Sequence, residues 1–186
     1  VYIENGKVDV PGIGPVRFDI AYGGAFYALV KAADGLPLTP EYFNKLVDLG
    51  RRIKRAVTDA VAIEHPFESD LSFLYGTIFI APPENQAHHS RNVCVFADGE
   101  VDRSSTGSGV SARAAIHHSR GELAVNETLT IESILGSTMT VRVAATTKYG
   151  PYDAVIPEVG GTAHFTGRHE FWFDPEDPLS GGFILR

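Results

Sequence analysis

The chain has 186 residues, of which 44% are apolar and 21% charged, the balance of a folded globular domain with its own hydrophobic core. Its net charge of -7 argues against nucleic acid as the main partner, because phosphate neutralisation calls for a basic surface. No apolar run approaches the roughly 18 residues of a membrane-spanning helix. No segment reads as a secretory leader either, so the cytoplasm is the expected compartment.

In chain order, Lys7–Val10 and Val16–Ile20 are strand-like and flank the turn signal Pro11-Gly12-Ile13-Gly14-Pro15. Residues 21–30 follow, with Gly23 and Gly24 marking a bulge or a close backbone approach within a strand pair. Thr39 is a good N-cap, Pro40 suits a first helical position and Glu41 complements the dipole. Phe43, Leu46, Val47, Leu49, Ile53, Val57 and Ala60 then recur at helical spacing as a core stripe. The basic cluster Arg51, Arg52, Lys54 and Arg55 lies on that helix beside acidic residues and reads as a solvated face.

Leu71–Ala81 returns to strand character, and the polar loop Glu84–Ser90 leads into Asn92–Ala97, a short apolar run typical of a buried strand. Ala112–His118 is predicted helical, with Gly121 as its stop. Leu129–Ile134, Met139–Ala145, Tyr152–Pro157 and Gly161–Phe173 are four further strand-like runs, and residues 177–186 read as a turn and a last short strand. Many short strands with two helices predict an α+β domain, not a doubly wound parallel sheet.

Asp102-Arg103-Ser104-Ser105-Thr106-Gly107-Ser108-Gly109 sits between a predicted buried strand and a predicted helix. A glycine-rich turn entering a helix presents unpaired N–H groups at the positive end of the dipole and suits an anion, a carboxylate included. Asp102 at its mouth adds a partner for an amine, so the pair matches an amino-acid zwitterion. The alternative is a plain N-cap, with Ser105 or Thr106 capping and the glycines only making the turn. The segment lacks the lysine of a P-loop and the third glycine of a dinucleotide fingerprint.

This segment closely resembles the Asp-Arg-Ser-Pro-Cys-Gly-Thr-Gly signature of the proline racemase superfamily. The resemblance extends over Val10–Gly14, Asp19–Tyr27, His65-Pro66, Tyr75–Thr77, Asn92-Val93 and Phe96–Asp98. It continues through Gly161, Ala163-His164, Thr166-Gly167, Asp177–Leu179 and Gly182-Phe183.

The resemblance implies one lobe of a diaminopimelate-epimerase-like protein: a curved, mostly antiparallel sheet around a central helix, acting without a cofactor or a metal. Residues 1–186 would form the carboxyl-terminal lobe, with about 177–186 returning to an amino-terminal lobe that carries a catalytic cysteine. The first residues, Val-Tyr-Ile-Glu, carry no initiator methionine and already read as a strand, so a fragment or processed piece is expected. Poor packing of the last residues would leave an apolar patch that invites association, and a homodimer is an open alternative.

The family's second catalytic cysteine aligns with Thr106. A thiol of pKa about 8.5 can share a proton, whereas a threonine hydroxyl does not ionise near neutrality. The resemblance therefore points to the trans-3-hydroxy-L-proline dehydratase branch, with hydroxyproline epimerase, proline racemase or a non-catalytic amino-acid-binding module as rivals. It assigns Asp102 to the ring nitrogen and Thr106 to the face of the α-carbon opposite the thiol. Gly107, Ser108 and Gly109 would offer N–H groups to the substrate carboxylate. Ser105 stands where the family has proline.

Cys94 is the single cysteine, which excludes an internal disulfide, and its place in the apolar run marks it as structural. The seven histidines lack metal-ligand spacing, and His88-His89 and His117-His118 are adjacent pairs that point apart. His65, before Pro66, is expected to serve a turn, and His164 a surface.

Overall fold

The computed structural model describes residues 1–184. Nine strands form one sheet: β1 (Ile3–Val10), β2 (Gly14–Tyr22), β3 (Phe26–Lys31), β4 (Leu74–Ala81), β5 (Ser90–Phe96), β6 (Glu100–Val101), β7 (Thr128–Glu132), β8 (Thr138–Tyr149) and β9 (Tyr152–Gly160). The order along it is β1-β2-β3-β4-β5-β7-β8-β9, with β6 paired to β5. Only β3–β4 and β5–β7 are parallel, so the sheet is mostly antiparallel.

The strand alternation sorts the core into two faces. Ala28, Val30, Phe79, Val93 and Val95 point to one side, where α1 (Phe43–Ala60) covers them with Leu46, Ile53 and Val57. Tyr27, Leu29, Ile78 and Cys94 point to the other, onto Ala112 and Ile116 of α2 (Gly107–Ser119). The far half of the sheet closes on the same helix, as Leu129, Ile131, Val141 and Val143 pack on Val110 and Ala114.

α2 thus lies inside the curve of the sheet, and the expected α+β lobe with a central helix is what the chain forms. α1 is amphipathic, as a helix covering one face must be. α2 has no such stripe because it is buried on opposite sides, residues 109–114 continuously. At Gly50 of α1 a Cβ would sit 2.6 Å from Val95 Cβ, so the glycine lets the helix approach β5.

Several expectations need correction. A 3-10 turn, Pro40–Tyr42, precedes α1, and Thr39 makes no side-chain cap. Phe43 and Ala60 are exposed at the ends of the apolar stripe. A further 3-10 turn at Ser69–Leu71 delays the strand to Leu74.

The largest difference is Gly161–Phe173, which forms no strand. Its Phe165, Phe171, Trp172 and Phe173 have strand-like chemistry yet stand exposed, because no strand among the described residues lies beside them to pair with. Residues 177–184 contain turns but no strand, and Leu185 and Arg186 lie outside the described residues. Among the described residues no helix is long and apolar enough to cross a membrane.

Candidate active site

The segment from Asp102 to Gly109 leaves the central strand β5 by way of β6 and enters α2 directly. The helix begins at Gly107, five residues before the predicted start, so Gly107, Ser108 and Gly109 are its first turn and not a preceding loop. Their N–H groups lie where a helix has no internal acceptors to offer. A Cβ on Gly107 would meet no atom within 4 Å, so that glycine faces open space. A Cβ on Gly109 would lie 2.4 Å from Ile78 Cδ1, so the second glycine seats the helix on β4.

Asp102 is anchored at its backbone by an N–H bond to Cys94 O (3.1 Å). Its Oδ1 accepts from Ser104 N–H (2.8 Å), and its Oδ2 accepts from the Thr106 hydroxyl (3.0 Å). Each carboxylate oxygen keeps a lone pair for a ligand.

Thr106 occupies the N-cap position, but its hydroxyl bonds Asp102 and no helix N–H, which removes the alternative of a plain cap by Thr106. Its backbone is left-handed, at φ 68° and ψ 100°. For a β-branched residue that conformation is a genuine outlier, storing on the order of 1–3 kcal/mol that the surroundings must offset.

Ser105 is buried, and its hydroxyl finds no partner among the described residues.

Four residues that the sequence analysis quoted within family-like motifs, without giving them a role in the site, complete the surroundings. Tyr27, buried on β3, hydrogen-bonds through its hydroxyl to Ser108 Oγ (2.8 Å). Burial pushes the phenol up to about 12, so it stays protonated. Tyr75 and Phe96, both half-buried, carry the aromatic wall outward from Tyr27, with ring centroids 5.9 and 5.5 Å apart along it. Asn92 reaches in from β5, its Nδ2 donating to Ser105 O (3.2 Å). The aromatic run at the strand ends was readable as core, but nothing local in sequence connects residues 27, 75 and 92 to 105–108.

Gly23, in the β2–β3 turn, belongs to the same neighbourhood, since a Cβ there would sit 2.1 Å from Ser108 O. Only glycine lets that turn rest on the first turn of α2.

Cys94 lies beneath the turn, fully buried. Burial pushes its thiol up to about 12, although the Thr106 side chain and Lys54 pull the other way. A thiol held there is neither a base nor a nucleophile at neutral pH.

His65 serves a turn, as its place before Pro66 suggested. Its Nδ1 accepts from Phe67 and Glu68 N–H (3.3 and 2.9 Å), which leaves Nε2–H to donate to Tyr149 Oη (3.1 Å). His164 lies in the exposed 161–184 stretch. Among the described residues, no group of three or more His, Cys, Asp or Glu stands close enough to hold a metal.

A cavity of about 390 Å³ opens elsewhere, between the β2–β3 turn, α2 and β9. Its lining is largely apolar and includes Tyr22, His65, Tyr149 and Tyr152, but none of Asp102–Gly109. The chemistry that suits a zwitterion, a carboxylate beside a row of helix N–H groups, lies at the open start of α2 instead.

Comparison with known proteins shows the family. Residues 1–184 match the proline racemase family. The chain is 54% identical over 187 residues to trans-3-hydroxy-L-proline dehydratase of Colwellia psychrerythraea, covering 100% of this chain and 53% of that protein. It is 44% identical over 182 residues to the Homo sapiens protein of the same name (96% and 51% covered). Identity to proline racemase of Clostridioides difficile is 37% over 187 residues (100% and 56% covered).

A crystal structure of hydroxyproline epimerase from Agrobacterium vitis with bound trans-4-hydroxy-L-proline superposes with a TM-score of 0.88 at 33% identity, covering 100% of this chain and 53% of that one. The chain spans about half the length of the curated relatives it matches. With the signature turn seated at the start of a central helix and a match that runs from residue 1 to 184, the chain belongs to the proline racemase family.

Proposed function

We propose that this chain is the carboxyl-terminal lobe of a two-lobe lyase that converts trans-3-hydroxy-L-proline to Δ1-pyrroline-2-carboxylate. The observation that carries the reading is Thr106, which stands at the family's cysteine position with its hydroxyl bonded to Asp102. A hydroxyl there cannot take an α-proton near neutrality, so a two-base racemisation lacks its second base. It can hydrogen-bond a departing hydroxyl or a water.

In this mechanism the substrate's ring ammonium sits on Asp102 through a charge-assisted hydrogen bond. Its carboxylate sits on the N–H groups of Gly107 and Ser108, with Gly109 at the inner end. Stabilising negative charge at the carboxylate acidifies the α-hydrogen as the transition state forms. A base from the amino-terminal lobe, the family's first cysteine, removes that proton. The C–H electron pair becomes a C2=C3 double bond, the C3–O bond breaks, and the hydroxyl leaves as water after taking up one proton. The resulting enamine tautomerises to the imine product. No cofactor enters the balance, and the closing of two lobes would exclude water from the reacting carbon.

The second reading, hydroxyproline epimerisation or proline racemisation, draws on the likeness to the Agrobacterium vitis epimerase. A turnover assay of the full-length protein on trans-3-hydroxy-L-proline, trans-4-hydroxy-L-proline and L-proline separates the two. Dehydration of the 3-hydroxy substrate without epimerisation of the others is expected. Epimerisation of the 4-hydroxy substrate would assign the second proton transfer to a group other than Thr106 and overturn the lyase reading. Binding without turnover of any of the three would favour a non-catalytic amino-acid-binding module. The 186-residue chain alone is expected to be inactive, because its one thiol is buried beneath the turn.

A further inference from the structure

Arg113 projects from the middle of α2 and is only 2% exposed. A buried cation ordinarily has a carboxylate against it. Here its partners are neutral: Nη1 donates to Ser90 Oγ (2.5 Å) and Asn92 Oδ1 (2.9 Å), and Nη2 contacts His117 Nε2 (3.0 Å). Its Nε has no partner among the described residues. Burial lowers its pKa to about 10, which leaves it charged at neutral pH. So costly a group, placed behind the candidate site with its side chain bonded to none of Asp102–Gly109, calls for a role.

The donor and acceptor inventory fixes every link around it. A guanidinium only donates, so His117 Nε2 must accept, and the ring is neutral. Its proton is then on Nδ1, donated to Glu122 Oε2 (2.7 Å) at the surface. Burial first, and then the charge of Arg113, lower the His117 pKa and favour that neutral form; Arg120 acts the same way and Glu122 opposes it. The neighbouring His89 ring, at 4.9 Å, is itself held neutral by burial, with a pKa of about 4. On the other side Asn92 must turn Oδ1 to Arg113, which aims Nδ2 at the Ser105 carbonyl. The amide has no choice of orientation.

The Ser105 carbonyl and the Thr106 N–H belong to one peptide plane. Its oxygen accepts from Asn92 (3.2 Å) and its N–H donates to Ser104 Oγ (3.0 Å), so the plane is pinned at both ends. Pinning it holds Thr106 at φ 68°, a conformation the residue would otherwise leave.

We propose that the chain Glu122–His117–Arg113–Asn92 is a positioning device for the substrate-binding turn, holding the 105–106 peptide plane so that Thr106 and the Gly107 and Ser108 N–H groups face the substrate. Arg113 and Asn92 are positioning residues that act through Ser105. The inference rests on the reading of Asp102–Gly109 as the substrate site.

Asn92→Asp separates positioning from stability. The new carboxylate gives buried Arg113 a counter-ion, so the unfolding midpoint should not fall. The Ser105 carbonyl loses its donor and meets an acceptor, so the turn should loosen. In the full-length protein, amide hydrogen exchange over residues 102–109 should quicken at least tenfold. On the same variant kcat/KM should drop at least tenfold, mostly through KM, because the carboxylate-binding N–H groups shift while the base does not.

His117→Leu, at the half-buried end of the chain, should act in the same direction, and His117→Gln, whose amide oxygen stands in for Nε2, should restore it. This pair decides the matter if Asn92→Asp proves unstable. Wild-type exchange rates over 102–109 in a folded Asn92→Asp or His117→Leu protein would overturn the proposal. If the wild-type protein turned over none of the three prolines, the functional reading would fail, and the exchange data would still decide this one.

Discussion

Thr106 Oγ1 donates to Asp102 Oδ2 at 3.0 Å, so the hydroxyl that replaces the family's thiol is tied to the carboxylate proposed to hold the substrate's nitrogen. Removing the hydroxyl at constant shape, with Thr106→Val, leaves Asp102 Oδ2 without that donor. In the full-length enzyme this should lower kcat for trans-3-hydroxy-L-proline on the order of a hundredfold, the range of a lost proton-handling group. Thr106→Cys should do something different in kind. A thiol of pKa about 8.5 can deliver a proton to the α-carbon from the face opposite the first cysteine, so that variant should convert L-proline to D-proline and the wild type should not. Equal formation of D-proline by both would mean that Thr106 does not set the reaction's outcome.

Ser105 carries a different expectation, about stability. Its buried hydroxyl has no partner among the described residues, and leaving such a group unpaired costs roughly 1–3 kcal/mol. Ser105→Ala should therefore stabilise the protein by about 1 kcal/mol, a rise in Tm of roughly 2–4 °C for a chain this long. Thermal unfolding of the two proteins side by side checks it. A lower Tm in the variant would mean that the hydroxyl is satisfied in solution.

The acid limit of the fold should depend on Glu132. This buried carboxylate is opposed by desolvation. Yet the N–H groups of Glu84 and Asn85 (both 2.9 Å), with His88 and Arg91, draw its pKa from 4.5 down to about 2. A depressed folded-state pKa means that the stabilisation is present above pH 4.5 and is lost as pH falls from 4.5 toward 2. The amount is on the order of 2–3 kcal/mol. Urea midpoints measured at pH 6 and at pH 3 should show that loss. Glu132→Gln should be less stable at pH 6 and flatter across the same window. A wild-type midpoint that does not change between those pH values would contradict the assignment.

How much of this was readable beforehand follows from the range of the signals. Strand alternation and the α1 stripe are local, and they placed most elements to within a few residues. The turn Asp102–Gly109 was legible because its chemistry is contiguous: a carboxylate, hydroxyls and glycines in one run. Its strained backbone at Thr106 was not legible, since nothing in a residue's identity announces a φ that its own side chain disfavours. The roles of Asn92 and Arg113 were hidden for another reason. Polar residues inside apolar runs acquire meaning only when the sheet brings residues 90–92 beside 113. Gly161–Phe173 failed in the opposite way, because local strand chemistry is satisfied only where a neighbouring strand exists to pair with it.

Cys94 gives the sharpest control on the whole reading. It is the one thiol in the chain, it lies directly under the turn, and burial pushes its pKa up to about 12. A thiol reagent at pH 8 should therefore leave it untouched in the folded protein and label it at once in urea. Cys94→Ala should cost roughly 1–2 kcal/mol, from the small void it leaves. In the full-length enzyme it should keep kcat within about threefold of wild type, because proton removal is assigned to a base outside this chain. If a folded Cys94→Ala protein lost turnover altogether, Cys94 would be the base. The active site would then lie within these 186 residues, and a second lobe would not be needed to supply it.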